Sequence, residues 1–93
     1  MVTAVILLSV ERALIKAVGE QLAAFPEVAE VYSVAGKFDL VALVRVGRNE
    51  DLADLVTDRM VKLPGIVHTE TLIAFRAYSR ADVESAFTLG AEP

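Results

Sequence analysis

The stretch Val34-Ala35-Gly36-Lys37-Phe38-Asp39-Leu40-Val41 decides the fold. Apolar runs rich in β-branched residues lead into it over 28–35 and out of it over 40–46. Two such runs split by a short glycine-containing segment predict a β-hairpin. Gly36 is the natural turn residue, because a residue without Cβ takes positive φ at no steric cost. The turn also carries one cation, one aromatic ring and one carboxylate, which makes it the place to expect a ligand.

Working outward, the rest of the chain is laid out symmetrically about this turn. Residues 2–10 form a nearly continuous apolar run, the mark of a strand covered on both faces. Leu14, Ile15, Val18, Leu22 and Phe25 then make an apolar stripe at helical spacing, with Glu11 expected in the first turn and Pro26 as the stop. After the third strand, Asn49 is the expected N-cap of a second helix, with Glu50 and Asp51 in its first turn. That helix buries Leu52, Leu55, Val56, Met60 and Leu63, and ends at Pro64-Gly65. Residues 66–75 read as the fourth strand. Ser79 is the expected cap of a short last helix, so 1–78 form the domain and 79–93 a C-terminal helix and tail.

Pro26 and Pro64 lie 64 − 26 = 38 residues apart, and their neighbourhoods match at that offset. Leu14 falls on Leu52, Val18 on Val56, Leu22 on Met60, Phe25 on Leu63 and Val28 on Ile66. Two strand–helix–strand units joined by the Gly36 hairpin give an α+β, ferredoxin-like βαββαβ sandwich. Its four-stranded antiparallel sheet carries both helices on one face. The first and third strands, apolar on both sides, are then the central pair. Their second face needs a cover, and a second copy of the same sheet supplies it, as in dimeric α/β-barrel packing.

Composition points the same way. Of 93 residues 55% are hydrophobic, and the mean hydropathy is +0.52. A domain this small hides only ~60–65% of its unfolded surface. A homodimer burying ~800 Å² per partner is the expected remedy. No apolar run reaches the roughly 18 residues of a membrane span, and the opening strand lacks the preceding charges of a signal peptide. The chain has no cysteine, so no disulfide or thiolate metal site is available and a cytoplasmic location is expected. Nine cations against thirteen anions give a net charge of −4. The cations are scattered, which excludes the clustered basic footprint of a nucleic-acid binder and the basic stripe of a membrane-surface helix.

Catalytic chemistry finds little to work with. His68 is the single histidine, in mid-strand, where it serves a surface or an interface rather than a metal or a triad. Glu50, Asp54 and Asp58 recur at helical spacing as a solvated face. Gly36 stands without the partners of a phosphate-binding loop.

The Gly36-Lys37-Phe38-Asp39 hairpin, Leu63-Pro64-Gly65-Ile66 and Thr69-Glu70-Thr71 together resemble the C-terminal effector domain of Lrp/AsnC regulators, the regulation-of-amino-acid-metabolism (RAM) module. The likeness covers roughly residues 2–75 and leaves no room for the family's helix-turn-helix, as in its stand-alone members. It implies sheet-to-sheet dimers that assemble into octamer- or decamer-like rings. It also implies a small amino acid held between dimers beside the hairpin, co-assembly with full-length regulators, no direct contact with nucleic acid, and no cofactor. The residues suit that role. Gly36 lets backbone N–H groups approach a carboxylate, and Asp39 can accept an ammonium group or bond within its own turn. Lys37 is solvated or paired with a neighbouring carboxylate. Tyr32 and Phe38 can wall a side chain or fill an interface, and Thr69 and Thr71 can offer hydroxyls or serve as strand residues.

Three other readings stand beside it. An ACT-type module shares βαββαβ but binds at a glycine in its first strand–helix loop, here Ser9-Val10-Glu11. A small cofactor-free monooxygenase pairs its sheets similarly but lines a pocket in each protomer with His, Trp or Asn. A purely structural oligomer needs no ligand at all.

Overall fold

A computed structural model describes residues 1–80. Strand β1 spans Val2–Val10, followed by a 3-10 turn, Arg12–Leu14, and helix α1, Ile15–Ala23. Strands β2, Val28–Ser33, and β3, Leu40–Val46, flank the 34–39 loop. Helix α2 begins as Asn49–Asp54, widens to a π-helical turn at Leu55–Arg59 and tightens to a 3-10 turn at Met60–Lys62. Strand β4 is Ile66–Ile73. The sheet is antiparallel throughout, in the order β2-β3-β1-β4. This is the expected ferredoxin-like arrangement, with β1 and β3 at the centre.

The core lies between the sheet and the helices. Ala4, Ile6, Leu8 and Val10 of β1 and Leu40, Ala42, Val44 and Val46 of β3 are buried there with Val18 and Leu22 of α1 and Leu52, Leu55 and Met60 of the second helical segment. The alternate residues, Val5, Leu7, Val41 and Leu43, are only half-buried, because no helix covers their side of the sheet. Tyr32, opposite Val41, and Leu72, opposite Val5, extend this apolar face toward both edges.

The internal repeat reaches into the backbone. Against β3, the partner register steps from Val28 to Glu30, leaving Ala29 as an extra residue. Against β1, it steps from Ile66 to His68, leaving Val67 extra. Ala29 and Val67 are themselves 67 − 29 = 38 apart, so each proline corner delivers its strand with an irregularity at the same repeat position, as a β-bulge does. The pairing itself is less symmetric. Leu8 faces Thr69, but their repeat counterparts Val46 and Val31 do not meet. Val31 faces Ala42 instead, 46 − 42 = 4 residues along β3.

Local details depart from expectation at five points, the first being that β4 ends at Ile73 and not at Phe75. Glu11 precedes the first helical turn, and its N–H donates to the Gly65 carbonyl at 2.8 Å. Asn49 is the first helical residue and not the cap; Arg48, in extended conformation, stands before it without a side-chain cap bond. The second helix is not uniform. Thr57 Oγ1 donates to the Ala53 carbonyl at 2.6 Å, taking the acceptor that Thr57's own N–H uses in an α-helix. Finally, β2 stops at Ser33, and the Val34 N–H closes the loop on the Asp39 carbonyl at 3.0 Å. Beyond Arg80, the short helix expected from Ser79 lies outside the described residues.

Candidate ligand site at the hairpin

The loop 34–39 sits at the end of the sheet where β1 exits and α1 begins. Gly36 takes φ = +139°, and a Cβ there would meet nothing within 4 Å. The glycine is therefore demanded by the backbone and not by crowding. Lys37 is exposed, and Phe38 is half-buried at the foot of the loop.

Asp39 is tied on three sides. Its N–H donates to the Leu8 carbonyl at 2.9 Å, its carbonyl accepts from Val34, and its Oδ2 accepts the Val10 N–H at 2.8 Å. The carboxylate expected to serve its own turn or a ligand thus reaches across to β1, 29 residues away in sequence.

The remaining sequence-selected residues are dispersed within one protomer. Tyr32 points to the open face of edge strand β2, where its hydroxyl donates to Glu30 Oε2 at 2.7 Å. That bond holds the phenolic proton and raises its pKa above the ordinary value. Thr69 and Thr71 sit on the opposite edge strand, facing Leu8 and Ile6, half-buried on the helix side of the sheet. Two strands separate them from Tyr32, and the two groups point to opposite faces. His68 is exposed on the open face beside Ser9. Among the described residues no group of three or more His, Cys, Asp or Glu could hold a metal ion, and no helix is long and apolar enough to cross a membrane.

Two features escaped the reading of the sequence. A groove of about 560 Å³ runs between α1 and β2, lined by Ile15, Gly19 and Val31 and by the charged residues Arg12, Lys16 and Glu20. Its far wall ends at Ser33 and Leu40, the residues that flank the hairpin. The signal was available at the repeat offset: Gly19 and Ala23 of the first unit stand where the second has Thr57 and Val61. The corresponding cleft beside α2, lined by Met60, Val61 and Thr69, measures only about 180 Å³. The second feature is the packing at Gly65, expected only as a helix stop and motif glycine: at φ = +103°, a Cβ there would come within 2.8 Å of Leu14.

Comparison with known proteins adds an independent line. A family model described as the Lrp/AsnC ligand binding domain matches residues 3–83. The solved structure of TTHA0845 from Thermus thermophilus is 51% identical and superposes with a TM-score of 0.81, covering 86% of this chain and 100% of that one. The hypothetical protein PHS023 from Pyrococcus horikoshii is 38% identical, with a TM-score of 0.78 and coverage of 84% and 94%. Among curated relatives, the HTH-type transcriptional regulator FL11 of Pyrococcus horikoshii is 32% identical over 75 residues, which is 81% of this chain and 49% of that protein. The chain spans between 39% and 50% of the length of the curated relatives it matches.

Proposed function

The chain belongs to the Lrp/AsnC ligand-binding family, and from that premise we propose that it is a non-enzymatic module that senses a small amino acid. The observation that carries the reading is the anchored 34–39 loop, an exposed glycine turn held on both sides by Asp39. Such a loop presents backbone N–H groups to an α-carboxylate from a fixed position. The neighbouring α1–β2 groove offers apolar walls for a side chain.

The module works as an oligomer. Val5, Leu7, Val41, Leu43, Tyr32 and Leu72 leave a continuous apolar sheet face without cover, and a second copy of that face is its natural complement. Dimers formed in this way assemble further into octamer- or decamer-like rings, with the amino acid between dimers. The module acts without direct contact with DNA, in the cytoplasm, and co-assembles with full-length regulators of its family.

Thermal melts against the standard amino acids, read together with light scattering, test the proposal. A rise in melting temperature for a few amino acids, accompanied by a change in assembly size, is expected. A response to none of them would leave a structural oligomer as the better description.

A further inference from the structure

We infer that Asp39 is a positioning residue: its carboxylate belongs to the main chain at the exit of β1, and it shapes the loop without pairing with a ligand's ammonium group. The inference rests on the amino-acid-sensing reading for its functional meaning, and on geometry for the rest.

The geometry begins with Val10. The residue is 6% exposed, and it stands where the β1–β4 register shifts. Asp39 Oδ2 accepts its N–H in a partly buried setting. A backbone donor placed there without an acceptor is costly. The next N–H along the chain, that of Glu11, goes to the Gly65 carbonyl. Gly65 in turn packs so closely on Leu14 that no side chain fits.

Two consecutive N–H groups of the β1 exit are therefore claimed by the last residue of the Gly36-Lys37-Phe38-Asp39 hairpin and by the glycine of the Leu63-Pro64-Gly65 corner. These motifs, far apart in sequence, form one clasp. Asp39 also donates its N–H to Leu8 and closes the loop on Val34, so the loop's shape and its attachment to β1 depend on the same residue. Accepting a backbone N–H requires an oxygen in the right place. It does not require a negative charge. Pairing with an ammonium does.

That difference sets the experiment. Affinity for the amino acid that gives the largest thermal shift is measured by calorimetry for the wild type, Asp39→Asn and Asp39→Ala, well below each melting temperature. Exchange of the Val10 amide is followed by NMR. Asn offers the same acceptor without the charge, so Asp39→Asn is expected to bind within about threefold of wild type and to keep Val10 protected. Asp39→Ala is expected to bind at least about tenfold more weakly, with faster Val10 exchange. A tenfold loss in Asp39→Asn with Val10 still protected would overturn the inference and assign the charge to the ligand. Wild-type affinity in Asp39→Ala would overturn it as well. Should the wild type bind no amino acid, the sensing proposal fails by itself. The exchange pattern then still decides whether Asp39 holds the loop.

Discussion

Arg59 grips Glu27 across 32 residues of sequence, Nη1 donating to Oε1 at 3.2 Å and Nη2 to Oε2, in the fork-on-fork geometry that suits guanidinium and carboxylate. The same guanidinium lies 5.5 Å from the centre of the Phe25 ring. Glu27 follows Pro26 at the entry to β2, and Arg59 is the last residue of the π-helical turn. The pair therefore sews the first proline corner to the second helix, joining the two halves of the repeat.

This pair makes stability pH-dependent in a defined direction. The hydrogen bond from Arg59 lowers the Glu27 pKa below its ordinary value of 4.5, outweighing the opposite effect of partial burial. A depressed carboxylate pKa contributes stability above the unfolded value, and the contribution is lost as pH falls through the folded value. Glu27→Gln is thus expected to lower the melting temperature at neutral pH. The gap to wild type should close as both are acidified from the ordinary value of 4.5 down through the lowered folded one. Solvent contact at Arg59, whose side chain is 41% exposed, keeps the gap modest. Thermal melts of both proteins across pH check it.

Among the described residues two glycines have positive φ, and they make a second comparison. Gly36 and Gly65 both occupy backbone conformations that side chains rarely adopt, so alanine at either costs about 1–3 kcal/mol in backbone strain. At Gly36 that is the whole penalty, since the space is open. At Gly65 the new methyl also meets Leu14 at 2.8 Å and 3.0 Å and Val18 at 3.4 Å. Gly65→Ala is expected to be the more destabilising by at least about 1 kcal/mol, measured by urea titration. Equal effects would show that Leu14 gives way freely.

Much of the fold was legible because the hydrophobic pattern is redundant. The 38-residue repeat, the two prolines and the Gly36 turn each point to βαββαβ, and the strand starts at Val2, Val28, Leu40 and Ile66 follow from them. What escaped was decided by contacts that no local pattern encodes. Thr57 is an ordinary helical residue until its hydroxyl takes the Ala53 carbonyl. Asp39 looks like a turn carboxylate because its partner, Val10, lies a whole strand and helix earlier. Tyr32 and Thr69 were both expected beside one ligand at the hairpin, yet the alternation of strand faces and the order β2-β3-β1-β4 set them on opposite sides and opposite edges of the sheet.

The uncovered sheet face yields a third expectation. Leu43 and Leu7 lie on the two central strands with their side chains away from the helices, so a charge there disturbs the core little but opposes burial against a second copy. Leu43→Glu is expected to remain folded by circular dichroism and to shift from dimer to monomer in light scattering at micromolar concentration. A variant that stays dimeric would move the dimer contact to another surface.

Gly19 gives a prediction of the opposite sign. It lies inside α1 with no positive φ, where glycine is less favourable than alanine by up to about 1 kcal/mol. A Cβ placed there would meet the nearest atoms, those of Leu40, at 3.8 Å and 4.0 Å, which is ordinary van der Waals contact. Neither backbone geometry nor packing therefore requires the glycine, and Gly19→Ala is expected to stabilise the domain by about 0.5–1 kcal/mol in urea titration. Because Gly19 lines the α1–β2 groove, the same substitution narrows the space proposed for a ligand side chain. Stability should rise while affinity for the larger amino acids falls. A loss of stability instead would mean that α1 already sits against β3 as closely as its side chains allow.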